Sequence, residues 1–131
     1  MSKYLILYAA TALVFFPLDF IWLSTMGRNF YSKELGGLLL DQPNLVIAGL
    51  FYLAYVAGIV ILISAPADGD VVKALLMGAV LGFVAYGTYD LTNLSTVRGF
   101  TPMVAVVDMA WGTALTAVSA AGGVWIARFF A

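Results

Sequence analysis

The sequence predicts an all-α membrane protein: four transmembrane helices in a compact bundle, with a short interfacial helix between the first two. Three observations carry that expectation. Of 131 residues, 63% are hydrophobic and 10% charged, with a mean hydropathy of +1.02, too little charge to cover a soluble domain of this size. The apolar residues gather into four runs, each near the roughly 20 residues a helix needs to cross a bilayer core. Turn and capping residues punctuate the chain between those runs.

Span 1 is expected over about 4–26, with Pro17 inside it. Met1-Ser2-Lys3 before an apolar run imitates a signal peptide. The run reaches Met26 with no small-x-small cleavage site after it, so the reading is a retained span. The connection from Gly27 to Gln42 holds Ser32-Lys33-Glu34, which opens a short helix, and then Leu38-Leu39-Leu40. It reads as a helix lying on the membrane surface, with an ordered loop as the alternative. Span 2 covers about 45–64, with Pro43 at an early helical position, and Ala65-Pro66-Ala67-Asp68-Gly69 forms a tight turn. Span 3, about 71–93, takes Asp70 as its N-cap; span 4, about 103–127, takes Thr101 as N-cap and Pro102 in its first turn. The whole chain, 1–131, reads as a single transmembrane domain. Lys3, Lys73 and Arg128 fall on the side of the termini, and Arg28, Lys33 and Arg98 on the other. Three against three gives no positive-inside bias, so the sequence sets no orientation.

The composition also excludes. The net charge of −1 argues against nucleic-acid binding. With no cysteine and no histidine, there is no disulfide, no thiol nucleophile, no imidazole base and none of the usual zinc or haem ligands. No cofactor and no metal are expected, although three carboxylates with Asn93 are a hard-cation donor set worth naming.

Against that background Asp19, Asp90 and Asp108 stand out. The chain has seven acidic residues and puts three of them inside predicted spans, where each costs about 2.5–3.5 kcal/mol on translocon scales. Asp19 precedes Arg28 by nine residues, Asp90 precedes Arg98 by eight, and Asp108 follows Arg98 by ten. At 1.5 Å per residue, each lies roughly 12–15 Å from an arginine-marked boundary on the same side. The three are therefore expected in one layer.

An internal echo supports that placement. Asp19-Phe20-Ile21-Trp22-Leu23-Ser24-Thr25 matches Asp90-Leu91-Thr92-Asn93-Leu94-Ser95-Thr96; a glycine and an arginine follow in each copy, then Phe30 or Phe100. Pro43 and Pro102 open the next spans, with Tyr52 and Trp111 nine residues on. This reads as a parallel two-helix repeat with an axis along the membrane normal. On span 3, Gly78, Gly82, Tyr86, Asp90 and Asn93 share a helical face, with Tyr89 beside them. Gly78-x-x-x-Gly82 on that face favours close packing within the bundle over homodimerisation. Ala54-x-x-x-Gly58 and Ser119-x-x-x-Gly123 remain as dimer faces. Pro17 frees the carbonyl of Leu13, so a kink or a polar partner is expected below Asp19. Trp22, Tyr52, Tyr86, Tyr89, Asn93 and Trp111 would wall a pocket around the acids; Thr92 is a further hydrogen-bonding candidate. Phe16, Phe83, Trp125 and Phe129 read as lipid-facing.

Phe16-Pro17-Leu18-Asp19-Phe20-Ile21-Trp22-Leu23, Phe51-Tyr52 with Tyr55, Tyr89-Asp90-Leu91-Thr92-Asn93 and Asp108-Met109-Ala110-Trp111-Gly112 resemble a family of small bacterial membrane proteins catalogued as domain of unknown function 2177. The resemblance spans essentially the whole chain. It implies a multi-pass protein of the bacterial inner membrane whose relatives are encoded near fatty-acyl-modifying enzymes, and it brings no established activity.

Two active readings and one passive one follow. In the first, Asp90 and Asp108 are an acid–base pair tuned by Asp19, acting on or binding a lipid-phase, fatty-acyl-like molecule positioned by Trp22, Trp111, Tyr89 and Asn93; close acids titrate as one coupled set, which supplies an acid and a base together. In the second, the chain is a small proton-coupled transporter, and four helices being few for alternating access, it acts as a homodimer. In the third, the acids merely tie helices together, as interhelical contacts worth roughly 0.6 kcal/mol each. The readings predict different cavities: a substrate site opens sideways to lipid or to the interface, a carrier shows a water path to both sides or an acid-lined dimer interface, and acids that point to separate contacts, or bond only each other and neighbouring helices with no cavity, leave the third.

Overall fold

A computed structural model describes residues 2–38 and 44–130. The described residues are helical throughout and contain four helices long and apolar enough to cross a membrane. Helix α1 is Ser2–Met26 and runs through Pro17. A wide π-turn, Gly27–Tyr31, leads to the short α2, Ser32–Leu35, and a 3₁₀ turn, Gly36–Leu38. Leu39, Leu40, Gln42 and Pro43, part of the expected surface helix and the expected helix start, lie outside the described residues. Helix α3, Leu45–Ile59, is capped by Asn44, whose side chain accepts from the Ile47 N–H at 3.1 Å. It continues through a π-turn, Val60–Ser64, into α4, Ala65–Ala67. Asp68 and Gly69 then turn the chain in left-handed conformations, φ 51° and 83°. Helix α5 is Val71–Thr96 and α6 is Pro102–Ala127. Their N-caps are Asp70, accepting from Lys73 N–H at 3.0 Å, and Thr101, accepting from Val104 N–H at 3.2 Å. These bonds satisfy donors that no helical carbonyl can reach.

The connection after α1 does not lie free on the membrane surface. Phe30, Tyr31 and Leu35 pack with Leu94 against Phe100, Val104 and Ala105, and the Thr101 hydroxyl donates to Glu34 at 3.2 Å. The connection thus closes over the α5–α6 turn, burying its apolar residues against the bundle.

Helix α6 is the hub. Twelve of its residues are buried, most of them alanine, glycine, serine or threonine. Lipid tails are as apolar as leucine, so association inside a membrane relies on close packing at small side chains. A Cβ on Gly78 would sit 3.0 Å from Ala117, Ala120 and the Thr116 carbonyl; one on Gly82 would run into the Gly112 carbonyl and the Thr113 backbone. The Gly78-x-x-x-Gly82 face is therefore spent inside the bundle. So is Ser119-x-x-x-Gly123, which corrects its reading as a dimer face: Ser119 is fully buried and Gly123 is covered by Thr11 of α1.

The two halves of the sequence echo are packed unequally. Helices α5 and α6 meet along their lengths, whereas α1 turns mainly to α6 and touches α3 sparingly. At the positions corresponding to Gly78 and Gly82, the first unit carries Leu7 and Thr11, and Thr11 rests on Gly123 of α6, not on α3. The outward faces are apolar: Phe20, Phe51, Val80, Phe83, Trp125 and Phe129 are exposed to the bilayer. Phe16 is the exception among those expected there, being half-buried edge-on to Phe15 at 5.6 Å.

Gly82→Ala is expected to lower stability by about 1–3 kcal/mol, the cost of overpacking. Gly49→Ala, where an added Cβ meets nothing, is expected to leave it unchanged or slightly raised. Thermal unfolding in detergent, followed by helical circular dichroism, checks both.

Candidate functional site

The close approach of α5 and α6 brings Asp90 to Asp108. Asp90 is 0% exposed, and neither of its oxygens has a hydrogen-bond donor among the described residues. The group facing it is the Asp108 carboxyl, near enough for the two to interact. Two carboxylates are both acceptors, so such a pair bonds only through a shared proton. Asp108 is half-buried and accepts from the Tyr31 hydroxyl at 2.8 Å. That hydroxyl in turn accepts from the Trp22 indole N–H at 3.2 Å.

Asp19, buried on α1, accepts from the Trp111 indole N–H at 3.4 Å, has the Tyr52 hydroxyl beside it, and lies close enough to Asp108 for their charges to interact. The two indoles stack face to face, centroids 4.3 Å apart and planes within 3°. They join the halves of the site: Trp22 reaches the Asp90–Asp108 side through Tyr31, and Trp111 holds Asp19. Tyr86 lies across Gly112 and edge-on to Tyr55 at 6.3 Å. A Cβ at position 112 would overlap that ring, so glycine is needed there for the tyrosine to lie down.

Most of the residues expected at the site are gathered there: the three aspartates, Trp22, Tyr52, Tyr86 and Trp111. Trp22 reaches its acid through Tyr31 and not directly. Tyr89 is 58% exposed, its ring edge-on to Phe100 with centroids 6.1 Å apart, at the outer edge of the site on the bilayer side. Thr92 is exposed and its carbonyl accepts from Thr96 at 2.8 Å, so it is not a partner of the acids. A helical face 100° wide cannot turn Asp90, Thr92 and Asn93 inward together.

Sequence reasoning missed Tyr31. It sits in the connection, outside every span, and only the folding of that connection over the α5–α6 turn carries its hydroxyl to Asp108. The one signal available was the echo, in which Tyr31 takes the place of Thr101, the α6 cap. Sequence reasoning also missed the 2.8 Å bond between Tyr55 and buried Thr116, which fastens α3 to α6 one layer further along the bundle.

The family model described as "Predicted membrane protein (DUF2177)" matches residues 4–125. No curated protein and no solved structure matches the chain.

Tyr31→Phe leaves Asp108 and the Trp22 N–H without their shared partner. It is expected to cost about 1 kcal/mol, read as a lowered midpoint of thermal unfolding. Tyr4→Phe, an exposed tyrosine at the other end of α1, is expected to leave the midpoint unchanged.

Proposed function

For a chain that belongs to the DUF2177 family of predicted membrane proteins, we propose acid–base work inside the bilayer: the Asp90–Asp108 pair holds one proton and exchanges it with a lipid-phase, fatty-acyl-like molecule in the bacterial inner membrane. One observation carries this reading. Asp90 is wholly buried, no donor among the described residues reaches it, and the group facing it is another carboxyl. A carboxylate kept only to tie helices would be given donors, because an unsatisfied buried acid costs stability. Asp90 is instead given an acid. Such a pair offers a donor and an acceptor of protons in one place, as general acid–base catalysis requires.

The other residues take supporting roles. Tyr31 holds Asp108 in position by its hydroxyl, and Trp22 orients Tyr31. Trp111 and Tyr52 hold Asp19, whose charge bears on Asp108. Tyr86 and Tyr89 border the pair on α5, and the exposed ring of Tyr89 marks the side from which a molecule dissolved in the membrane arrives. A substrate carrying a double bond, ether or carbonyl presents an atom to which the acid form can deliver a proton while the carboxylate partner removes one from a neighbouring carbon or oxygen.

Asp90→Asn separates this reading from a structural one. The asparagine amide can donate to Asp108, so the variant is expected to fold with an unchanged or raised thermal midpoint. It is also expected to lose the proton exchange, typically a 10²–10⁴-fold effect, read as a change in the extracted membrane lipids of cells expressing the variant in place of the natural chain. A lipid profile identical to that of the natural chain at equal expression would defeat the proposal. A proton flux across proteoliposomes that Asp90→Asn abolishes would assign the pair to transport in its place.

A further inference from the structure

A cavity lies away from the aspartates. It lies at the opposite end, between the start of α1, the turn around Ser64–Gly69 and the end of α6, with a volume of about 430 Å³. This is within the range of ligand pockets. Leu7 and Asp19 are twelve residues apart on α1, about 18 Å along the helix, so this cavity is separate from the acid layer. All three segments are helix ends, which puts its mouth at the membrane–water boundary.

Its lining is divided by chemistry. Ile6, Leu7, Val124, Ala127 and Phe130 are apolar. Lys3 and Arg128 supply two cations and Asp68 one acid. The Lys3 ammonium is held by the Ala65 carbonyl at 3.5 Å and approaches Asp68 at 3.9 Å. With its side chain 93% exposed, Asp68 is screened by water and neutralises Lys3 weakly. Arg128 has no side-chain hydrogen bond or ion pair among the described residues. The leading N–H groups of α1, at Ser2 and Lys3, have no helical acceptor. Within the lining Ser64 is 1% exposed and its hydroxyl has no partner among the described residues. That hydroxyl is turned away from the open space, as the buried hydroxyls of Thr11 and Ser119 are, so the two cations above an apolar wall are what point to a ligand.

We infer that this cavity binds an anionic phospholipid, its phosphate between Lys3 and Arg128 and one acyl chain along Leu7, Val124 and Phe130. A free phosphate has the right charge, but it would leave the apolar wall uncovered. A neutral lipid would fill the wall and gain nothing from two cations. An anionic lipid uses both. The site does not depend on any role of the aspartates.

The test is lipid retention by the full-length chain in mild detergent, measured by native mass spectrometry, with dioleoylphosphatidylglycerol, dioleoylphosphatidylcholine and sodium phosphate as separate probes. Phosphatidylglycerol is expected to be retained about tenfold or more over phosphatidylcholine, since each surface cation favours an anionic lipid. The Lys3→Gln/Arg128→Gln double variant, changed at exposed side chains, is expected to fold with an unaltered helical spectrum and lose that preference. Asp68→Asn is expected to increase it. Equal retention of the two lipids, a preference that survives the double variant, or sodium phosphate displacing phosphatidylglycerol at equimolar concentration would each overturn the assignment.

Discussion

Everything at the acid layer depends on how closely α5 approaches α6. Inside a bilayer there is no water to drive apolar helices together, so contact has to come from surfaces that fit. Gly78 and Gly82 let α5 rest on the backbone of α6. That contact fixes the rotation of α5, and eight residues beyond Gly82 the same face carries Asp90 to Asp108. A wider interhelical gap would have left the two carboxyls apart, each seeking its own donor. The glycines and the acid pair are two consequences of one packing surface.

The same constraint explains why the remaining partners are aromatic. A carboxylate in a low-dielectric interior needs donors, and those donors must be carried on side chains that the membrane tolerates. Tyrosine and tryptophan present one polar atom on a large apolar body. Here the indoles of Trp22 and Trp111 stack on one another while their N–H groups serve different halves of the site. The stack lets α1 and α6 share a boundary without either indole losing its partner. Tyr31 extends the arrangement outside the spans, so the connection between α1 and α3 is a structural part of the site and a lid over the α5–α6 turn.

The molecule is thus polarised along its axis. At one end a buried layer of acids and aromatics is closed over by the connection. At the other, cations surround an open cavity with an apolar wall. Between them the bundle is held by small residues and by isolated hydroxyl contacts such as Tyr55 with Thr116. Buried Thr11 and Ser119 have no partner among the described residues. Their size, more than their polarity, is what the packing uses: Thr11 fills the space over Gly123.

The sequence by itself determined the all-helical membrane class, the number of spans, the N-caps Asp70 and Thr101, and the gathering of Asp19, Asp90 and Asp108 at one depth. Those features follow from local quantities: hydropathy over about 20 residues, side chains that reach their own backbone, and a fixed rise per residue. Depth was legible because it is counted along one helix. Which residues meet across helices was not, because that depends on rotation and on interhelical distance. Tertiary structure alone decided that Asp90 faces Asp108 with no donor among the described residues, that Trp22 acts through Tyr31, that Ser119 and Gly123 are spent inside the bundle, and that the connection docks on the α5–α6 turn. Those outcomes depend on the rotation of each helix and on interhelical distance, which are set only when all four helices and the connection pack together.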